Sequence, residues 1–202
     1  MHRIDLIVIG GSAGALEVLL ELMPQLPAEL LAPIAIVLHQ KPTQPSLVPQ
    51  LLARACSRAV REPEDKEPLA RGTVYVAPPN YHMLIERGGT IALSVDEPVH
   101  FSRPSIDVLF ESAADALGRG VVGLVLSGSN PDGAEGLHRI AAAGGVALVQ
   151  APATAAHAVM PEAAARRVGA LAHAQAHALA PREVAPFLSR LAGQEPLPSP
   201  LT

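Results

Sequence analysis

Asp5-Leu6-Ile7-Val8-Ile9-Gly10-Gly11-Ser12-Ala13-Gly14, near the start of the chain, sets the architecture of everything that follows it. Residues 5–9 read as a fully buried strand, and they run without a break into Gly-x-Ser-x-Gly. A serine held between glycines at a strand-to-helix turn has its hydroxyl lifted above the sheet edge. There it can attack a carbonyl, while the first amides of the next helix stand ready for an oxyanion. A serine nucleophile needs a base and a carboxylate, so the rest of the chain is searched for them.

Working outward, apolar runs alternate with helical patterns. This predicts an α/β fold: a doubly wound, mostly parallel sheet with helices on both faces. Strands are expected at 5–9, 34–38, 121–126 and 146–149, and helices at 13–22, 47–56, 106–117, 133–143, 161–168 and 181–191. Ser46 and Ser105 are placed as N-caps, and Pro161 and Pro181 as first helical residues. Residues 61–70, charged and holding two prolines, read as a loop. The β-like stretches 73–77, 83–86 and 90–95 have no helix between them, so an antiparallel excursion is expected, with Gly88-Gly89 as its hairpin turn. Residues 3–192 are read as one catalytic domain, followed by a flexible tail at 193–202 that has proline but no apolar period.

Composition narrows the function classes. The chain has 202 residues and 49% hydrophobic content, enough for one sizeable core. A formal charge of -4 and 2% aromatic residues argue against nucleic acid as a partner. The apolar run at 6–9 is too short for a signal peptide or a membrane insertion, and the lone Cys56 suits a reducing cytoplasm. The strand–glycine turn is also not a dinucleotide fingerprint. Ser12 stands where its second glycine belongs, and His39 where a ribose-binding acid belongs.

In an open parallel sheet, ligands bind beyond the carboxyl ends of the strands. Three polar residues end three different strands: Ser12, His39 and, in the loop at 127–132, Asp132. Imidazole can take the serine proton, and a carboxylate can hold the imidazole in one tautomer. The chain order Ser, His, Asp differs from the Ser, Asp, His of α/β-hydrolases. The competing plain reading is that Ser12 only caps the following helix.

Several further blocks accompany these three residues. They are Val37-Leu38-His39-Gln40, Gly72-Thr73-Val74-Tyr75-Val76-Ala77-Pro78-Pro79-Asn80-Tyr81-His82, Arg103-Pro104-Ser105-Ile106-Asp107-Val108-Leu109-Phe110, Leu126-Ser127-Gly128, Asp132-Gly133-Ala134 and Met160-Pro161. Together, and in this order, they resemble the catalytic domain of chemotaxis protein-glutamate methylesterases, the CheB type, over about residues 5–191. The resemblance implies that Ser12 is the nucleophile, His39 the base and Asp132 the triad carboxylate. It puts the oxyanion amides on Ala13 and Ser129. It also implies hydrolysis of γ-glutamyl methyl esters on the cytoplasmic helices of methyl-accepting chemoreceptors, with glutamine deamidation as a companion activity and no cofactor or metal. Arg103 and Met160 are the candidate pocket residues.

The chain departs from the family pattern in places. The usual A-S-T-G-G is Gly11-Ser12-Ala13-Gly14-Ala15, and T-G-M-G-x-D is Ser127-Gly128-Ser129-Asn130-Pro131-Asp132. The usual G-M-P is Val159-Met160-Pro161. These changes spare the triad and alter its lining. Two alternatives therefore stand beside the methylesterase: a hydrolase of another protein substrate, and a catalytically weak binding module kept in view by Pro131. Ser12 lies too near Met1 to leave room for an N-terminal receiver domain, so a stand-alone catalytic domain is expected. His82 is assigned a structural hydrogen bond, and His100 and His157 a solvated place on site-flanking loops. Asp107 is a capping or ion-pair residue. His173 and His177 have zinc-site spacing but lack the glutamate of H-E-x-x-H.

Overall fold

A computed structural model describes residues 4–40, 45–172 and 174–193. Its centre is a seven-stranded sheet in which every pairing is parallel. The strands are β1 (Leu6–Gly11), β2 (Ile34–Leu38), β3 (Ala59–Arg61), β4 (Thr73–Val76), β7 (Val121–Val125), β8 (Val146–Gln150) and β9 (His177–Leu179). They lie in the order β3-β4-β2-β1-β7-β8-β9. Strands β5 (His82–Glu86) and β6 (Thr90–Ser94) form a separate two-stranded antiparallel sheet.

Because βα units cover both faces, the inner strands are buried on both sides and read as unbroken apolar runs. Alternate residues feed two cores. Leu6, Val8, Ala35, Val37, Tyr75 and Val125 pack under α3 (Ile106–Leu117), α4 (Ala134–Ala142) and α5 (Val159–Gly169). Ile7, Ile9, Ile34, Ile36, Val74 and Leu124 pack under α1 (Ala15–Leu22), α2 (Val48–Ala55) and α6 (Pro181–Gly193).

The chain winds outward from β1 through β2 to β4, then returns to lay β7 on the other side of β1. The strand order reverses there, which opens a crevice at the carboxyl ends of β1 and β7. The register fixes what flanks it. Gly11 pairs with Leu38 and Gly10 with Val125, so Ser12 and His39 are the next residues on adjacent strands. By alternation both continue the rows that face α3 and α4.

Some expectations are corrected. The 73–77 stretch is a parallel member of the main sheet, and the hairpin packs on α3 as a sheet of its own. The three-residue edge strands β3 and β9 are not among the strands expected. Helix α1 starts at Ala15 because Gly14, at φ 80, takes a left-handed conformation. Pro161 is the third residue of α5, not its first. The sheet, its winding and the helices on both faces are as expected. The tail at 194–202 and His173 lie outside the described residues.

Candidate active site

Ser12 leaves β1 at a turn that is tied down on all sides. Its N–H donates to Ser127 O at 2.9 Å, and its carbonyl accepts Ala15 N–H at 3.1 Å. A trans peptide points its N–H opposite to its C=O. The Ser12 carbonyl faces the start of α1, so the Ala13 N–H points the other way, out of the helix. The Ser129 N–H is set the same way, because the preceding carbonyl of Gly128 accepts Met160 N–H at 3.0 Å. Met160, expected as a pocket residue, is fully buried beneath this loop. A Cβ at Gly128 would stand 2.5 Å from its Cε, so glycine lets the loop sit directly on Met160. Ser127 links the turn after β1 to the loop before α5: its Oγ donates to Ala13 O at 2.7 Å and accepts His157 N–H at 2.9 Å. The buried Gln150 Oε1 in turn accepts Ser127 N–H at 2.9 Å.

His39 continues β2, its N–H donating to Gly11 O at 3.2 Å. Its ring Nε2 meets Asp132 Oδ2 at 2.7 Å. Asp132 is fully buried, and its acceptor positions are filled. Oδ1 accepts Ser105 Oγ–H at 2.9 Å and Asp107 N–H at 3.0 Å; Oδ2 also accepts Ile106 N–H at 2.8 Å. These are first-turn amides of α3, so Asp132 caps that helix from across the chain, while the predicted cap Ser105 spends its hydroxyl on Asp132. Burial alone pushes Asp132 up. The hydrogen bonds from His39, Ile106 and Asp107 outweigh it and hold the carboxyl below its ordinary value, hence ionised at neutral pH. An ionised carboxylate can only accept, so the His39 nitrogen facing it, Nε2, is the donor of this bond.

The N-terminus of α3 reaches this position because glycine makes room for Ile106. A Cβ on Gly10 would fall 2.2 Å from Ile106 Cγ2, and one on Gly133 2.7 Å from it. Asn130 accepts Asp132 N–H through Oδ1 at 3.2 Å, so the residue before Pro131 serves to orient the carboxylate.

Arg103 donates to Asn80 Oδ1, Val95 O and Asp96 O, tying the loop before β5 to the loop between β6 and α3. His82 is buried; its Nδ1 accepts Ser105 N–H at 3.2 Å and its Nε2 donates to Glu97 O at 3.1 Å, the structural bond expected of it. Asp107 accepts Gly136 N–H at 2.7 Å and lies 3.3 Å from His100 Nε2. Burial, with the neighbouring Asp132, pushes Asp107 up to about 6, against the pull of Gly136 N–H and His100. Ligand atoms of His100, Asp107 and Asp132 lie within 4.8 Å of one another, but Asp132 has no lone pair left to give a cation. Sequence reasoning did not connect Ser105, His82 or Gln150 to the site. His177 packs on Phe187, ring centroids 5.0 Å apart, and away from this crevice.

An open cleft of about 470 Å³ between α2 and β3, lined by Pro45, Pro49, Arg61 and Pro79 among others, includes none of these residues. Among the described residues, no helix is long and apolar enough to cross a membrane.

Putative protein-glutamate methylesterase/protein-glutamine glutaminase of Leptospira interrogans is 45% identical over 160 residues, spanning 79% of this chain and 83% of that protein. A protein of the same activity name from Symbiobacterium thermophilum is 38% identical over 149 residues, 74% of this chain but 41% of its own length. The Thermotoga maritima CheB methylesterase catalytic domain superposes with a TM-score of 0.85 at 25% identity, over 94% of this chain and 99% of that one. A CheB methylesterase family model matches residues 7–186, and the chain belongs to that family.

Proposed function

We propose that this chain is a cytoplasmic serine hydrolase that removes methyl esters from glutamate side chains on the helical cytoplasmic region of chemoreceptors. Residues 3–192 form its catalytic domain. The observation that carries the reading is the 2.7 Å contact of His39 Nε2 with a buried, four-times hydrogen-bonded Asp132, His39 being the register neighbour of Ser12. Ser12 Oγ attacks the ester carbonyl as its proton passes to His39 Nδ1. The developing imidazolium is stabilised by Asp132, and the oxyanion by the N–H groups of Ala13 and Ser129. Collapse expels methoxide, which leaves as methanol with the proton from His39. Water, deprotonated by His39, then attacks the acyl-Ser12, and the carboxylate is released as Ser12 recovers its proton.

The same steps with ammonia as leaving group would deamidate glutamine, the second activity in the relatives' names. The test is methanol and ammonia release from methylated and glutamine-bearing receptor fragments, run beside Ser12→Ala and His39→Ala. Release by wild type that both variants abolish supports the reading. An active-site serine probe that labels wild type and Ser12→Ala equally sinks it.

A further inference from the structure

Between the hairpin and α3 the backbone makes a turn that its sequence does not favour. Val99 N–H donates to Ser102 O at 3.1 Å and Ser102 N–H to Val99 O at 2.9 Å, so His100 and Phe101 are the two central residues. Their φ angles are 49° and 60°. A two-residue turn with both centres left-handed is normally built from Asn-Gly or a similar pair, because a Cβ crowds the backbone there. Such a conformation persists only where its surroundings hold it, and it clusters at functional sites.

Here the holding group is visible. His100, though itself exposed, brings its Nε2 to 3.3 Å from the buried Asp107 carboxylate. The same turn sends Phe101 outward, where it is fully exposed. The location is not remote. A ring nitrogen of His100 lies within 4.8 Å of an Asp132 carboxylate oxygen, and Asp132 holds His39. Tyr81 and Val95, also exposed, belong to the loops that Arg103 clamps beside this turn. A large, fully exposed ring, one residue from a histidine that reaches the Asp107–Asp132 carboxylates, has no packing role within the fold.

We propose that Phe101 is a specificity-determining residue. It packs on an apolar side chain of the helical protein substrate on the face that carries the scissile ester, with His100 and Asp107 setting its position. The inference rests on the reading of the site as a protein-glutamate esterase.

The test compares kcat/KM for methanol release from a methylated receptor fragment with kcat/KM for p-nitrophenyl acetate, which is too small to touch Phe101. For Phe101→Ala the ratio of the two should fall about 10- to 100-fold through KM on the receptor fragment, the loss expected for one buried aromatic contact. Phe101→Leu should restore most of it. A ratio within twofold of wild type in Phe101→Ala overturns the inference and leaves the esterase reading intact. Wild-type protein that cleaves the small ester but releases no methanol from the fragment overturns the esterase reading, and the inference with it.

Discussion

Replacing Asp132 by asparagine tests the hydrogen-bond assignment at the heart of the site, because each of the four donors around the carboxylate responds differently. Asparagine keeps one acceptor oxygen and gains an NH2 group. If the oxygen occupies the Oδ2 position, it still accepts His39 Nε2–H and Ile106 N–H, and the NH2 falls at Oδ1. There the Ser105 hydroxyl can rotate to accept, whereas the Asp107 N–H is left facing a donor. The opposite placement would turn two donors, His39 Nε2–H and Ile106 N–H, against the NH2. The first placement therefore wins, and the imidazole keeps its tautomer.

The magnitudes follow. One buried N–H without a partner costs about 1–3 kcal/mol, and loss of the anion from the helix N-terminus about 0.3–1 kcal/mol more. The urea midpoint should thus fall by the equivalent of about 2–4 kcal/mol, with the slope unchanged. In the transition state, the imidazolium and carboxylate 2.7 Å apart attract by about 6 kcal/mol at an effective dielectric of ~20. A neutral acceptor keeps roughly half of a charge-assisted bond. The remaining ~3 kcal/mol is a loss of about 10²- to 10³-fold in kcat/KM, read by methanol release or, more simply, by the rate of serine-probe labelling. This is milder than the ~10⁴-fold seen where asparagine inverts the tautomer in serine proteases. A loss beyond 10⁴ with the fold intact would refute the proposed rotation of Ser105, and a loss below tenfold would refute the triad role of Asp132.

Three other outcomes are expected. Ser12→Ala should lower turnover by on the order of 10⁶-fold and abolish probe labelling, while thermal melting stays within a degree or two, since the side chain is half-exposed and outside the core. Gly10→Ala should cost about 1–3 kcal/mol in urea denaturation and depress activity, because its Cβ would overlap Ile106 at 2.2 Å and lift α3 from the sheet end. Asp107, raised from 3.8 to about 6, binds its proton more tightly when folded. Its stabilising contribution is full below pH 3.8 and is lost as pH rises through about 6; a rise of about two units is worth about 3 kcal/mol. Asp107→Asn should flatten the stability profile across that window relative to wild type, and parallel profiles would contradict the assignment.

The sequence carried the parts of this structure that rest on local or periodic information. The runs at 6–9, 34–38 and 121–125 are apolar on both faces because both faces are buried, so they stand out without any partner being known. Ser12, His39 and Asp132 were legible because each follows such a run. Strands β3 and β9 were not: Ala59-Val60-Arg61 and His177-Ala178-Leu179 are three residues long, largely exposed, and extended only because a neighbouring edge pairs with them. The supporting set was hidden for a similar reason. Ser105 looks like a helix cap in sequence, but its hydroxyl goes to a residue 27 positions away. His82 and Gln150 each act on a backbone amide 23 positions away, which no spacing rule signals. One usable signal was present and unused. Counting alternation along the two expected strands puts Ser12 and His39 on the same face of the sheet.

That shared face also bears on how the carboxylate is held. Adjacent parallel strands run about 4.8 Å apart, so Ser12 and His39 leave neighbouring strands side by side. Nε2, the His39 ring nitrogen farther from the backbone, meets the Asp132 carboxylate, which is fully buried. Burial there is tolerable only because the first turn of α3 supplies amides in place of water. Those amides reach the site only because Ile106 rests on a strand backbone that carries no Cβ at Gly10. The glycine two residues before Ser12 thus acts at a distance: through Ile106 and the first turn of α3 it governs whether Asp132 can remain charged.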